Sequence, residues 1–228
     1  MITISDLNVS YNGNNKVLYN LNLSLPEGLI HGIVGLNGAG KTTLLNTLFG
    51  LKKADLGTIT RDNHPINRKS VSYLTTENFF FSNITGNEYL SLFKNSEFDT
   101  EQWNNLFGLP LNTIIDGYST GMKKKLALLA TLKQDKPIMI LDEPFNGLDI
   151  ETCRIVRMIL LRLKEKNKTI IITSHIIETL TKLCDLIHYL DVGQIKFSRD
   201  KSGFYEFEKE VFDKIENDNI ALIDKLFQ

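Results

Sequence analysis

Apolar and polar residues alternate along the start of the chain, in the pattern of β-strands that have one buried face. The pattern predicts strands over residues 2–10 and 17–25, and Leu21, Leu23 and Leu25 mark the buried face of the second strand. Residues 11–15 are rich in Asn and Gly and predict a turn between the strands. We therefore predict an antiparallel pair of strands at this end of the chain.

Farther along, short apolar runs alternate with stretches of helical periodicity. The predicted strands are residues 29–34, 57–60, 70–74, 137–141, 169–173 and 186–190, and the predicted helices are residues 41–49, 150–166 and 175–183. Such alternation is typical of an α/β domain with a mainly parallel sheet. Residues 78–132 show helical periodicity throughout, so we predict a helical subdomain inserted into a core made of residues 1–77 and 133–228.

The last part of the chain is predicted to be an amphipathic helix that packs on the core. Phe207, Val211 and Ile215 follow one another at intervals of four residues, which places them on one helical face. The polar residues Asn217, Asp218 and Asn219 predict a break in this helix.

Composition excludes several classes of protein. With 228 residues, 42% apolar and 23% charged, the chain is expected to fold, and its apolar runs are far shorter than the roughly 20 residues that a membrane-spanning helix needs. Asp6 and Asn8 argue against a signal peptide. The net charge of −1 argues against a nucleic-acid partner. Cys153 and Cys184 lie in apolar patterns, which predicts reduced thiols packed in the core.

A glycine-rich segment after the strand at 29–34 predicts a phosphate-binding loop. Two glycines separated by four residues precede a lysine and a threonine, and a helix is predicted to begin there. Glycines allow successive backbone N–H groups to face an anion, and the helix N-terminus adds partial positive charge. The lysine would contact the β- and γ-phosphates, and the threonine would bind Mg²⁺. The candidate nucleotide-binding residues are Gly35, Asn37, Gly38, Ala39, Gly40, Lys41, Thr42 and Thr43.

Two carboxylates follow the apolar strand at 137–141. The carboxyl end of a strand in an open α/β sheet is where ligands bind, so Asp142 and Glu143 are predicted to face the nucleotide. Asp142 would hold Mg²⁺ together with Thr42, and Glu143 would act as the general base toward the attacking water.

Taken together, the motifs resemble the nucleotide-binding subunit of ATP-binding cassette (ABC) transporters over essentially the whole chain. Five segments carry the resemblance, in this order: Gly35 to Thr42, Tyr118-Ser119-Thr120-Gly121-Met122, Leu141-Asp142-Glu143-Pro144, Gly147-Leu148-Asp149, and His175. The resemblance implies an α/β fold with a P-loop NTPase core. Ser119 and Gly121 keep the family's Leu-Ser-Gly-Gly-Gln signature, whereas Thr120 and Met122 depart from it in a way that resembles exporter-type cassettes.

The resemblance also implies roles for individual residues. Ser119 and Gly121 would contact ATP bound to the opposite subunit, although Ser119 is equally an ordinary helix N-cap. Tyr11 would stack on adenine. Asp149 would organise the dimer interface, or simply cap the following helix. His175 would bond the γ-phosphate or the attacking water, so the catalytic candidates are Lys41, Glu143 and His175.

One position departs from the family pattern. Thr76 stands where the family usually has a glutamine that touches Mg²⁺, so its contact with the metal is weaker than usual or lost. Phe79, Phe80 and Phe81 follow, and two interpretations are equally open: they line the groove for a membrane partner, or they fill the core of the helical subdomain.

The function that the resemblance implies is ATP hydrolysis coupled to transport. ATP and Mg²⁺ would be the cofactors, and a second ABC subunit and an integral membrane permease would be the partners. The location would be the cytoplasmic face of a membrane, with no nucleic acid bound. The rival hypotheses are a soluble ABC protein acting on ribosomes or DNA, disfavoured by the single cassette, and a catalytically weak regulatory cassette, suggested by Thr76 alone.

Overall fold

The fold is described from a computed structural model for residues 1–12 and 15–227. Its strands are β1 (Ile2–Tyr11), β2 (Asn15–Leu25), β3 (Ile30–Val34), β4 (Leu56–Arg61), β5 (His64–Pro65), β6 (Val71–Leu74), β7 (Ile138–Leu141), β8 (Thr169–Thr173), β9 (Leu186–Asp191) and β10 (Gln194–Asp200). Its helices are α1 (Lys41–Phe49), α2 (Gly86–Ser91), α3 (Thr100–Asn104), α4 (Thr120–Lys133), α5 (Ile150–Glu165), α6 (Ile177–Thr181) and α7 (Phe204–Leu226).

The larger sheet has six strands in the order β10-β9-β3-β8-β7-β6. All neighbours are parallel except β9 and β10, so the predicted mainly parallel sheet is confirmed. Every residue of β3, β7 and β8 is buried, which explains their mainly apolar composition. Because β3, β8 and β7 are parallel neighbours, the segments that follow them meet at one edge of the sheet.

The smaller sheet is antiparallel, with strand order β2-β1-β4-β5, and it confirms the predicted N-terminal pair. Ile2 and Ile4 of this sheet share an apolar cluster with Leu44 and Leu45 of α1 and Ile33 of β3. This cluster fixes α1, and therefore the loop before it, against both sheets.

Between β6 and β7 the described structure contains the helices α2, α3 and α4 and no named strand. Leu90, Phe107 and Leu126 form part of the core beneath them. Helix α2 begins with a capping box, in which Thr85 and Glu88 bond each other's backbone N–H groups.

The prediction for the final helix is wrong in one respect, because α7 continues through residues 217–219 without a break. Asn and Asp each lower helix propensity by less than about 1 kcal/mol, and no Pro or Gly occurs there to stop the helix. The predicted packing is confirmed for Phe207 and Val211, which are buried.

Three other elements differ from the sequence prediction, among them the two-residue strand β5, which was not predicted. Strand β10 was not predicted; it pairs with β9 through a turn in which Val192 and Gly193 both have positive φ. Helix α6 is shorter than the predicted helix over 175–183, and His175 precedes it.

Both cysteines are free thiols, and burial raises the pKa of Cys184. Within the described ranges, no helix has the length and hydrophobicity needed to span a bilayer.

Candidate functional site: a phosphate loop facing two carboxylates

The predicted phosphate loop connects β3 to α1, and two of its glycines are required by the backbone. Gly40 has φ of 108°, and a Cβ there would lie 2.7 Å from Leu18 Cδ2. A Cβ on Gly35 would lie 2.3 Å from the Leu190 carbonyl oxygen. Helix α1 begins directly after Gly40 with no side-chain cap, so its first N–H groups are available to an anion.

Lys41 is the buried cation of this loop, with 9% of its surface exposed. Its Nζ donates to the carbonyl oxygens of Gly35 at 2.6 Å and Leu36 at 3.2 Å. Burial lowers the pKa of Lys41, and no carboxylate in the described part of the chain forms an ion pair with it. A buried ammonium group with only carbonyl partners, beside a helix N-terminus, suits the phosphates of a nucleotide.

Asp142, directly after β7, is held through both of its carboxylate oxygens. Thr42 Oγ1 donates to Oδ2 at 2.9 Å, and Thr173 Oγ1 donates to Oδ1 at 2.6 Å. Asp142 is 1% exposed, and its N–H donates to the Leu74 carbonyl oxygen of the neighbouring strand β6. The carboxylate and the Thr42 hydroxyl therefore place two oxygen groups side by side, and oxygen groups are the ligands that Mg²⁺ prefers.

Glu143 and His175 come together at the mouth of the site. His175 Nδ1 lies 3.1 Å from Glu143 Oε2, and 11% of the glutamate side chain is exposed. Glu143 has φ of 49°, a left-handed conformation that costs a non-glycine residue of order 1–3 kcal/mol. The Thr173 hydroxyl accepts the Glu143 backbone N–H at 2.9 Å and helps to maintain this conformation.

These groups surround one cleft of about 480 Å³, within the range of small-molecule sites. The lining residues are Val17, Asn37, Gly38, Gly40, Lys41, Thr42, Thr43, Thr76, Asp142, Glu143, Asn146 and His175. The structure thus brings together most of the predicted loop with Asp142, Glu143, His175 and Thr76. Sequence reasoning missed Val17 and Asn146. The sequence carried no signal for Val17, whereas Asn146 could have been suggested by its position three residues after Glu143.

Six predicted residues do not line this cleft: Gly35 and Ala39 of the phosphate loop itself, and four residues outside the loop, Ser119, Tyr11, Gly121 and Asp149. Ser119 caps α4 by accepting the Met122 N–H at 3.2 Å. Tyr11, the last residue of β1, is 38% exposed, and Lys52 Nζ lies 4.4 Å from the centre of its ring. Gly121 lies against the loop before α5, because a Cβ there would be 3.1 Å from the Gly147 carbonyl oxygen.

Asp149, the fourth residue outside the loop, caps α5. It accepts the Thr152 N–H at 2.7 Å and pairs with Lys125 of α4 at 3.0 Å. The bond from the Thr152 N–H, followed by those from the Thr152 hydroxyl and Lys125, lowers the pKa of Asp149. The ordinary capping roles of Ser119 and Asp149 are therefore present, and within a single chain both residues lie outside the cleft.

A buried lysine was also missed by the sequence reasoning. Lys124 of α4 is 6% exposed, and its Nζ lies 3.4 Å from the Thr75 carbonyl oxygen. Burial lowers the pKa of Lys124, and the charges of Asp142 and Glu143 oppose this change. Lys124 therefore connects the helical region to the segment that carries Thr76.

Comparison with known proteins decides the family. The family model described as ABC transporter matches residues 18–146, a segment that includes the phosphate loop, Ser119, Asp142 and Glu143. The chain belongs to the ABC transporter family. It is 30% identical over 215 residues to the putative ABC transporter ATP-binding protein AlbC of Bacillus subtilis (strain 168), covering 86% of this chain and 90% of that protein.

Solved structures agree with this assignment to the ABC family. The chain superposes on a structure described as the ATP-binding subunit of an ABC transporter with a TM-score of 0.81 and 25% identity, covering 88% of this chain and 90% of the other. The ABC transporter cassette MJ0796 shares the fold, with a TM-score of 0.79 and 22% identity over 88% of this chain and 99% of that one. As an ABC ATP-binding subunit, the chain hydrolyses ATP, and ATP and Mg²⁺ are its cofactors.

Proposed function

We propose that this ABC subunit acts in a head-to-tail pair, in which the phosphate loop of one chain and Ser119 of the other enclose ATP, and that the pair drives a membrane permease. One observation carries the proposal. Lys41, Asp142, Glu143 and His175 surround one open cleft, whereas Ser119 is exposed at the start of α4 and does not line that cleft. A second chain is needed for Ser119 to reach the bound nucleotide.

Within the cleft, each residue has a distinct proposed role. Lys41 Nζ leaves the loop carbonyl oxygens and binds the β- and γ-phosphates, together with the first N–H groups of α1. Thr42 and Asp142 hold Mg²⁺ through their oxygens. When bound, Mg²⁺ neutralises the charge that develops on the phosphate oxygens during transfer.

Glu143 and His175 are proposed to activate the attacking water. A carboxylate oxygen of Glu143 accepts the proton of the water, in keeping with its position after Asp142. With Nδ1 protonated, His175 donates to Glu143 Oε2 and orients that carboxylate while its Nε2 remains available to accept a hydrogen bond. In this arrangement His175 links the base to the surface where a second chain docks.

The start of α4 supplies the proposed contribution in trans. Ser119, Thr120 and Gly121 lie where the helix exposes its first N–H groups, and the basic side chain of Lys125 is already paired with Asp149. In the proposed pair, the first N–H groups of α4 and the Ser119 hydroxyl donate hydrogen bonds to the γ-phosphate of the ATP bound to the other chain. Asp149 bonds to Thr152 of α5 and to Lys125 of α4, and so it holds the ends of these two helices together at the proposed interface.

Thr42 and Thr76 are expected to differ in their importance for Mg²⁺. Thr42→Ala removes a hydroxyl bonded to Asp142 and is expected to raise the Mg²⁺ concentration for half-maximal ATPase activity about tenfold. Thr76→Ala is expected to change it little, because Thr76 is exposed and shorter than glutamine. Magnesium titrations of the purified subunit measure both values. Equal shifts in the two variants would make Thr76 a direct ligand and contradict this assignment.

The permease is proposed to dock on the exposed aromatic residues between β6 and α2. Phe79 is 74% exposed and Phe81 is 52% exposed, and their rings meet edge-on with centres 5.2 Å apart. Phe80 instead packs into the core against Tyr89. Two exposed aromatic side chains side by side are typical of a protein interface. We therefore assign Phe80 to the core and Phe79 and Phe81 to the partner, on the cytoplasmic face of a membrane.

Residues 78–132 are proposed to move as a unit against a core of residues 1–77 and 133–228, carrying both the aromatic pair and Ser119.

The name of one relative also suggests a cargo. The bacitracin transport ATP-binding protein BcrA of Enterococcus faecalis is 32% identical over 198 residues, covering 80% of this chain and 64% of that protein. A peptide such as bacitracin is therefore the first cargo to test.

Replacing both Phe79 and Phe81 with Ser is expected to weaken binding to the permease at least about tenfold, because each exposed ring loses roughly 1–2 kcal/mol of contact. The ATPase activity of the isolated subunit is expected to remain. Co-purification with the permease measures the binding, and Tyr205→Ser is the control because Tyr205 is also an exposed aromatic residue, on α7. Unchanged permease binding by the double variant would refute this docking site.

A further inference from the structure

We propose that Thr173 is a positioning residue for ATP hydrolysis, whose single hydroxyl fixes both the Asp142 carboxylate and the Glu143 backbone. The inference rests on the roles proposed above for Asp142 and Glu143. Thr173 does not line the cleft, so it acts only through these two residues.

The Thr173 hydroxyl acts as a hydrogen-bond donor and as an acceptor at the same time. Its Oγ1 donates to Asp142 Oδ1 at 2.6 Å and accepts from the Glu143 N–H at 2.9 Å. Thr173 is the last residue of β8, and β8 is the parallel neighbour of β7, which ends one residue before Asp142. One side chain therefore ties two consecutive residues of the site to the neighbouring strand.

In the part of the chain that the structure describes, the Thr173 hydroxyl has no hydrogen-bond partner other than Asp142 and Glu143. Residues 170–172 of β8 are isoleucines, and Thr173 is completely buried. A buried hydroxyl is unfavourable unless its hydrogen bonds are satisfied, and valine would fill the same volume in a β-strand without that cost. The two bonds to Asp142 and Glu143 are the interactions that a valine would lose.

The bond to Asp142 determines which carboxylate oxygen faces the cleft. With Oδ1 held by Thr173, Oδ2 is directed at Thr42 Oγ1, 2.9 Å away. Without the Thr173 hydroxyl, the carboxylate can rotate, and its oxygen ligand is no longer fixed for Mg²⁺. Partners of this kind, one step removed from a metal, typically change metal affinity or activity by about 10–100-fold.

The bond from Glu143 maintains an uncommon backbone conformation. Glu143 has φ of 49°, and its N–H is anchored by the Thr173 hydroxyl. The side chain that leaves this backbone reaches His175 Nδ1 at 3.1 Å. Loss of the anchor allows the Glu143 backbone to relax and carries the carboxylate away from His175.

The test compares Thr173→Val with Thr169→Val in the full chain. Thr169 is on the same strand and is also buried, and its Oγ1 accepts the Gly28 N–H at 3.0 Å, so the same substitution removes one hydrogen-bonded hydroxyl far from the cleft. We expect Thr173→Val to lower kcat about 10–100-fold and to raise the Mg²⁺ requirement, with the KM for ATP within about threefold of wild type. Thr169→Val is expected to leave kcat and the Mg²⁺ requirement unchanged. Thr173→Ser, which keeps a hydroxyl, is expected to restore kcat to within about threefold.

A second measurement needs no nucleotide. Hydrogen–deuterium exchange of the peptide containing Glu143 is expected to accelerate in Thr173→Val and to stay at the wild-type rate in Thr169→Val, because only the first variant frees the Glu143 N–H. Should Thr173→Val fail to fold, Thr173→Cys replaces the hydroxyl with a weaker donor of similar size, and an intermediate kcat is expected. Wild-type kcat in Thr173→Val, equal losses in the two valine variants, or no rescue by serine would each overturn the positioning role.

The experiments distinguish a failure of the inference about Thr173 from a failure of the role proposed for Glu143. If Glu143→Gln abolishes hydrolysis and Thr173→Val behaves as wild type, only the inference about Thr173 fails. If Glu143→Gln hydrolyses ATP normally, the base is misassigned, and the positioning of Glu143 by Thr173 fails with it.

Discussion

Replacing Glu143 with Gln is expected to lower ATP turnover by about 10²–10⁴-fold while leaving ATP binding intact. The amide has nearly the shape of the carboxylate but cannot accept the proton of the attacking water. Lys41, Thr42 and the N-terminus of α1, which would bind the phosphates and Mg²⁺, are not altered. Steady-state ATPase assays measure the turnover, and binding of a fluorescent ATP analogue measures the affinity.

Glu165→Gln is the matched control for Glu143→Gln. Glu165 ends α5 and pairs with Arg162 on the exposed surface at 2.7 Å, so the same chemical change there is expected to leave turnover at the wild-type value. Undiminished hydrolysis by Glu143→Gln would exclude Glu143 as the base. Loss of both turnover and binding would show that the carboxylate maintains the cleft rather than acting on water.

Replacing Ser119 with Arg is expected to abolish ATPase activity while each chain still binds ATP. Ser119 caps α4 and lies outside the cleft of its own chain, so a bulky cation there leaves the phosphate loop undisturbed. Loss of a hydrogen-bond donor to the transferred phosphate costs about 10²–10³-fold in kcat, and a side chain too large for the interface costs more. The ATPase rate and the affinity of the isolated chain for ATP are the two measurements.

Ser91→Arg provides the comparison. Ser91 is an exposed residue at the end of α2, in the same helical region as Ser119, and an arginine there adds the same charge and bulk. Its ATPase activity is expected to match the wild type. Weak ATP binding by Ser119→Arg would place Ser119 in the site of its own chain and exclude the arrangement in trans.

The parts of the fold that follow from local pattern could be predicted from the sequence. Strands β3, β7 and β8 are mainly apolar because all of their residues are buried, and the phosphate loop requires glycines whose positions are visible in the sequence. Asp142 and Glu143 could be placed beside that loop because carboxyl ends of parallel strands share an edge. These inferences depend only on neighbours along the chain and on the rules of sheet topology.

The features that sequence reasoning missed arise from contacts between distant segments. The role of the Thr173 hydroxyl depends on β8 lying beside β7, and the burial of Lys124 depends on α4 packing against the segment after β6. Periodicity also gave no means to separate Phe80, which packs in the core, from the exposed Phe79 and Phe81, since all three are adjacent.

The ends of elements depend on small energy differences that composition does not resolve. Polar side chains are tolerated inside α7 at Asn217 and Asn219 because both of these side chains are exposed to solvent. The turn before β10 uses Val192 with positive φ, a residue that sequence rules would not place there.

The claim that ATP joins two chains is tested most directly by the mass of Glu143→Gln in solution, measured by light scattering with ATP and Mg²⁺. This variant is expected to bind ATP and to hydrolyse it about 10²–10⁴-fold more slowly than the wild type, so we expect the mass of two chains with ATP and of one chain with ADP. The double variant Glu143→Gln with Ser119→Arg is predicted to keep the mass of one chain in both conditions. A single-chain mass for Glu143→Gln at saturating ATP, or a double variant that still pairs, would contradict the account.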